Sequence, residues 1–413
     1  MAYESNSEER GSPDKRNGCI MLGDKMKCKK NVSFFCTLTA GIILLSACSQ
    51  NTELNTEKAK DTNKAETTAG TVYTDFENNY VAVSEDGYYF WEGVSGGRLM
   101  FMDRKSGKTV PLCNKPDCTH EDRDWNCNAS FQDPGYQLEA DGMQGDGIDH
   151  NYLMYYEDSL YAVGCDPENY AALYRIKPDG SGEWEKCARL YKTDYSSTGH
   201  WKSLQTFFID DGRVYYVDRN QESQQLVSMD LDGEDREVIF ESEEGMTAEV
   251  YRLKKNGNYL YYQVLTYEGE DYENYEGGLY QYDPAAGKSS MVKEMLVVPY
   301  SVRGDQIYYG NEEGLCCYSM KNQTTEVLND TSMKMPYITL TEEYIAIFDY
   351  DGRELTLYHY DGEEIVSVCD ENMSMCWGGD SQRLFGETSD AEQSSCWTTL
   401  DITNTSGDME WKR

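Results

Sequence analysis

"DDGRVYYVDRNQESQQLVSMDLDGED", residues 210–235, is the stretch on which the fold turns. Asp-Asp-Gly opens it, and Gly is the residue that tolerates a tight two-residue hairpin turn. "RVYYV" then alternates and carries two tyrosines, which suits a half-buried strand. "QQLVSMD" is a second such strand, and "DLDGED" closes it with another turn. The same unit recurs along the chain. Its turn and first strand reappear as "EDGYYFWEG" (85–93), "EDSLYAVG" (157–164), "KNGNYLYYQ" (255–263), "RGDQIYYGN" (303–311), "TEEYIAIFD" (341–349) and "DSQRLFGE" (380–387). Partner strands follow, such as "GRLMFMDRKSGK", "GGLYQYDPAAGK" and "LTLYHYDGEE".

The key turns sit near residues 87, 158, 212, 257, 304, 343 and 381, at spacings of 71, 54, 45, 47, 39 and 38. A period of roughly 40–50 residues with further flanking strands is that of a four-stranded propeller blade. The expected fold is therefore all-β: a β-propeller of seven four-stranded blades over residues 73–413, with six or eight as the alternatives. A two-sheet sandwich does not explain seven copies of one hairpin. Because the seventh unit is short, "TVYTDFENNYVAVS" (71–84) is expected to lend it a strand and close the ring. The 34 Tyr against 11 Phe and 7 Trp agree with many half-wet strands.

Working outward, the N-terminus carries an address. "KMKCKK" (25–30) is basic, and "NVSFFCTLTAGIILLSA" (31–47) is mostly apolar and uncharged. It is short for a membrane span and well sized for a signal-peptide core. It ends in Leu45-Ser46-Ala47-Cys48, which resembles a bacterial lipobox, whose cysteine takes the lipid. The resemblance implies lipidation (palmitate) at Cys48 and a place on the outer face of the cytoplasmic membrane, in the cell envelope. Residues 26–47 are then the lipoprotein signal. Residues 1–25 read as a start-site extension, with translation beginning at Met26 or Met21. Residues 48–72 hold the lipidated cysteine and a polar linker too poor in apolar side chains to fold.

The net charge is −37, and residues 1–48 contribute +2, so the exported part carries −39. Such a balance excludes nucleic acid as a partner, since phosphate recognition needs a basic face. The expected partners are the membrane, through the lipid, and a protein, peptide or glycan ligand.

One stretch departs from the repeat. "LCNKPDCTHEDRDWNCNAS" (112–130) falls in the long first spacing and places Cys113, Cys118, His120 and Cys127 within fifteen positions. Four Cys/His ligands make a structural zinc site, although His120 lies only two positions beyond Cys118. On an extended chain that gap puts both side chains on one face. The alternatives are a disulfide, Cys113–Cys127 or Cys118–Cys127, since exported thiols oxidise, and reduced thiols in an anaerobic niche. Zinc is thus a conditional cofactor and no other is expected. Cys376 and Cys396, both in the last unit, are a second disulfide candidate.

The pattern is similar to YWTD-like and TolB-like propellers. With the lipobox and "LCNKPDCTH", it resembles propeller lipoproteins of Gram-positive gut anaerobes. That group generally has no assigned activity, so the resemblance implies architecture alone.

Catalysis leaves no clear signature: no GxSxG, P-loop, HExxH or dinucleotide fingerprint occurs. The four histidines, His120, His150, His200 and His359, form no motif. "DLDGED" (230–235) and "DYDGRE" (349–354) begin like calcium loops but lack the later glutamate, and turn chemistry explains them. The expectation is a binding, interaction or sensing module rather than an enzyme. The rival is a glycan-active hydrolase or lyase on a propeller scaffold.

Overall fold

The computed structural model describes residues 80–92, 98–120, 126–131, 153–168, 170–192, 207–218, 223–268, 275–295, 298–334, 336–389, 395–407 and 409–412. The chain divides into two units, residues 1–64 and 65–413, and all described residues belong to the second. The signal segment, Cys48 and the linker lie outside the described residues.

The described chain forms seven antiparallel sheets, one after another along the sequence. Blade one holds β1–β4: Val81–Val83, Gly87–Trp91, Leu99–Asp103 and Thr109–Pro111. Blade two holds β5–β8: Leu153–Tyr156, Ser159–Cys165, Tyr170–Ile176 and Glu185–Lys192. Blade three holds β9–β12: Phe207–Asp210, Arg213–Asp218, Gln225–Asp230 and Glu237–Phe240. Blade four holds β13–β16: Met246–Asn256, Tyr259–Glu268, Tyr275–Asp283 and Lys288–Glu294. Blade five holds β17–β20: Tyr300–Arg303, Gln306–Asn311, Gly314–Ser319 and Thr324–Asn329. Blade six holds β21–β24: Pro336–Leu340, Ile345–Asp349, Glu354–Tyr358 and Glu364–Cys369. Blade seven holds β25–β27: Met373–Gly379, Arg383–Ser389 and Ser395–Asp401.

The repeated turns join the first two strands of each blade. Glu157 and Asp158 both take positive φ (44° and 57°), as do Asp211 and Gly212 (48° and 74°). Two consecutive positive φ values are the mark of a type I′ turn, whose twist matches that of the strands it joins. The registers Tyr156↔Ser159 and Asp210↔Arg213 bracket these turns.

The first strands touch in the order β1, β5, β9, β13, β17, β21, β25, and β25 returns to β1. That contact makes seven blades a closed ring, so the six- and eight-blade alternatives fall. Seven apolar clusters fill the seven interfaces. Each draws on two neighbouring blades, such as Val163 and Leu173 with Phe207 and Tyr216 between blades two and three. Between blades seven and one, Phe385 lies 4.9 Å from Tyr88 and 5.6 Å from Phe90, ring centre to ring centre. Fully burying one such side chain contributes roughly 1.5–3 kcal/mol.

The closing strand differs from expectation. Val81–Val83 pair with Tyr88–Phe90 inside blade one rather than crossing to blade seven. Among the described residues blade seven has three strands, and Lys412 bridges Thr399 on its outer side. The two cysteines expected to bridge that blade stand on β25 and β27, with β26 between them. No disulfide joins Cys376 and Cys396 in this structure, and two strand spacings of about 4.8 Å separate their strands.

In an antiparallel blade the first and third turns leave from one end, and the second turn and the link to the next blade leave from the other. Connections of the first kind run from two residues, at 157–158 and 211–212, to eight, at 177–184. The second kind includes the two longest, residues 112–152 and 193–206. One end of the ring is thus the tight-turn face, with connections of two to eight residues, and the other carries the two longest connections.

Candidate metal centre

The Cys/His stretch leaves β4 on the long-connection side of the ring. Pro111 ends β4, and Leu112 turns inward into the apolar cluster between blades one and two, beside Trp91, Leu153 and Ile176. Fixing Leu112 in that cluster places Cys113 at the edge of the interface. A turn brings the Cys118 N–H to the Lys115 carbonyl at 3.3 Å. His120 has a φ of 53°, a conformation uncommon outside glycine that costs energy unless the surroundings demand it. The Arg98 guanidinium donates to the His120 carbonyl and the Lys115 ammonium to that of Asn126, at 2.6 Å for the latter.

These constraints gather all four predicted residues. The sulfurs of Cys113, Cys118 and Cys127 and a ring nitrogen of His120 lie within 4.8 Å of one another. His120 Nδ1 is 3.5 Å from Cys127 Sγ. Cys127 is buried and the other three are partly so. No disulfide joins the three cysteines in this structure, and the four side chains could hold a metal ion. An ion with Cys and His ligands at about 2.3 and 2.1 Å in a tetrahedron spaces its donors by roughly 3.5–3.8 Å, so the set found here closes on a metal with small movements.

The electrostatics agree with such an ion. Burial pushes the Cys113 thiol up, but backbone N–H groups of Lys115 and Asn128 and the neighbouring thiols outweigh it and hold Cys113 below its ordinary value. Burial pushes Cys118 up to about 12, the N–H of His120 opposes this, and the thiols of Cys127 and Cys113 add to the rise. A divalent ion bound there would favour ionised sulfurs, and N–H groups aimed at sulfur would favour the ligated form.

The stretch also docks on blade two. The buried Asn128 amide donates to the Gly180 carbonyl at 2.8 Å, and Trp184 Nε1 donates to the Asn128 carbonyl at 3.2 Å. Phe131 lies 4.8 Å from Trp184 and 5.1 Å from Tyr174, ring centre to ring centre. It covers Gly164, where a Cβ would stand 2.3 Å from the Phe131 ring. Leu99 N–H returns the chain to blade one through the Ala129 carbonyl, 2.8 Å away. Sequence reading found the four clustered residues but missed Arg98, Asn128 and Gly164, which no spacing marks.

No family model matches the chain, and no curated protein matches it. Solved structures with related architecture do. An oligogalacturonate lyase of Vibrio parahaemolyticus is 12% identical, with a TM-score of 0.41, over 72% of this chain and 75% of that one. An oligogalacturonate lyase in complex with manganese is 11% identical, with a TM-score of 0.44, over 61% and 73%. Prolyl oligopeptidase B from Galerina marginata is 12% identical, with a TM-score of 0.49, over 83% of this chain but half of that one. These are likenesses of fold and assign this chain no activity.

The other sequence candidates sit apart from the cluster. Arg213, on β10, pairs with Asp230 at 2.8 Å and Asp235 at 3.1 Å, the first and last acids of the "DLDGED" turn. In the "DYDGRE" turn, Asp349 accepts the Asp351 N–H at 3.2 Å, ordinary turn chemistry. His359 lies against Tyr344 at 6.0 Å. His150 and His200 lie outside the described residues.

Proposed function

We propose that this chain is a binding module of the cell envelope: a rigid propeller that presents its long-connection face to a protein, peptide or glycan. The observation that carries this reading is the asymmetry of the ring. One end carries turns of two to eight residues, and the other carries the two longest connections, residues 112–152 and 193–206, together with the only Cys/His metal cluster among the described residues. The cluster's four donors face one another and are consumed by a closed tetrahedral ion. That is the pattern of a structural metal rather than a catalytic one, which keeps a position open.

In this reading Cys113, Cys118, His120 and Cys127 hold zinc, which pins residues 112–131 against blade two. Cys48 carries the lipid, and the linker holds the ring clear of the outer face of the cytoplasmic membrane. Palmitate labelling of the expressed full chain tests the anchor: label is expected in the wild type and lost in Cys48→Ala. Exposure of the purified domain to polysaccharide and peptide panels tests the role. Saturable binding without product is the expected result. Product formation would instead favour a glycan-active hydrolase or lyase.

A further inference from the structure

Blade four is unlike the others. Its first two strands pair over nine register positions, from Met246↔Glu268 to Asn256↔Tyr259, where blade one pairs over three. The extra length projects on the long-connection side. It needs support at its edge, and blade three supplies it: Gln224 N–H donates to the Ala248 carbonyl at 2.9 Å, and Gln224 Oε1 accepts from Val250 N–H at 3.0 Å. A supported projection of this kind is a built element.

One face of the projection turns to blade three. Tyr262 and Val264 share a cluster with Val217 and Leu226 of that blade. Phe240, at the end of β12, packs 5.8 Å from the Tyr280 ring. Beyond Phe240 this face holds a cavity of about 240 Å3. Val264, Gly278, Tyr280 and Met291 form its apolar part, and Glu276 and Glu294 stand at its rim. Gly278 makes the hollow. A Cβ there would meet the Tyr280 ring at 2.8 Å and Met291 Cε at 3.1 Å. A glycine in mid-strand costs stability and marks a place where something approaches closely.

The chemistry of the lining selects the occupant. Glu276 and Glu294 are exposed, and Met291 is 54% exposed. Among the described residues, no Lys or Arg lines the cavity. The cation of the neighbouring strand, Lys293, is turned to the opposite face and held 4.5 Å above the Tyr318 ring. The segment after Phe240 reads Glu241-Ser242-Glu243-Glu244 and adds negative charge. An aromatic ring, a thioether and two carboxylates together suit a cation on an apolar stem. We infer that this cavity on blade four takes an arginine or lysine side chain of a basic peptide segment. The inference deepens the binding reading above and rests on it.

The test uses the folded domain and a capped Gly-Arg-Gly-Arg-Gly peptide, with its citrulline counterpart as a neutral isostere, followed by calorimetry. The arginine peptide is expected to bind saturably and the citrulline peptide at least about tenfold more weakly, a factor worth about 1.4 kcal/mol. Glu276→Gln with Glu294→Gln is expected to weaken the arginine peptide about tenfold. Glu342→Gln with Glu343→Gln, on the tight-turn face, removes the same charge and is expected to change it less than about twofold. Gly278→Ala, which fills the hollow, is expected to abolish binding; the two glutamine pairs keep the test intact if that variant does not fold. Equal weakening by both pairs would reduce the effect to the general negative field and overturn the proposal. So would failure of the arginine peptide to bind. A glycan or neutral peptide whose binding the Glu276/Glu294 pair leaves unchanged would overturn it too, while sparing the broader reading.

Discussion

Arg104 of blade one and Asp380 of blade seven, 276 residues apart, meet at 2.5 Å. Tyr88 joins them: its hydroxyl donates to Asp380 at 3.0 Å, and the Arg104 guanidinium stands 4.7 Å above its ring. Burial, and then the Asp380 carboxylate, push the Tyr88 hydroxyl far above its ordinary value, so it stays a donor at every physiological pH. Among the described residues no strand crosses between these blades, and this polar triad and the rings of Phe385 and Phe90 latch the ring.

Asp380→Ala should therefore open the weakest seam. The two side chains are 21% and 12% exposed, which makes the pair mostly buried. Removing one partner leaves the Arg104 charge under-compensated, at a cost of about 2–3 kcal/mol after discounting for partial exposure. Urea unfolding midpoints measure it. A loss under about 0.5 kcal/mol, the range of an ordinary surface change, would mean the latch is decorative.

Asp166 makes a prediction in pH. Its carboxylate is fully buried and accepts from Lys186 Nζ at 3.1 Å and Arg189 Nε at 2.6 Å. Burial raises its pKa, but the N–H of Tyr170 and the Arg189 and Lys186 side chains outweigh that and hold it below 3.8. A depressed carboxylate binds its proton more readily in the unfolded chain, so its contribution is complete above about pH 4 and fades as pH falls through the folded value. Asp166→Asn should lower stability at pH 7 and flatten the acid limb below about pH 4. A limb of unchanged slope in the variant would contradict this.

Asn128→Ala tests the docking of the cysteine stretch. It removes the buried donor to the Gly180 carbonyl, at a cost of about 1–2 kcal/mol. Phe131→Ala should cost about 2 kcal/mol, less than a fully buried ring, since Phe131 is only half-buried. Thermal melts followed by tryptophan fluorescence report both, because Trp184 lies against each residue. Melts indistinguishable from wild type would mean the stretch is not packed on blade two.

The ring was legible in the sequence because each blade writes its own turn and two strands locally, as at Asp211-Gly212. The four ligands were legible for the same reason, lying within fifteen residues. What escaped depends on contacts between distant segments. Nothing in "VAV" says whether it pairs with blade one or crosses to blade seven; it pairs with Tyr88–Phe90 of blade one and shares an apolar cluster with Phe385 of blade seven. Cys376 and Cys396 are close in sequence, yet an intervening strand parts them. Gly164 reads as a strand glycine until Phe131 lies over it.

The metal content of the purified, unoxidised domain, with its thiol count, tests the account most directly. One zinc per chain is predicted, lost in Cys113→Ser with Cys127→Ser and retained in Cys369→Ser, whose thiol is exposed and remote. The double variant should also lower the melting temperature, since a structural site contributes folding energy. A metal-free native chain with Cys113, Cys118 and Cys127 all titrating as free thiols, or with two of them joined in a disulfide, would contradict the account.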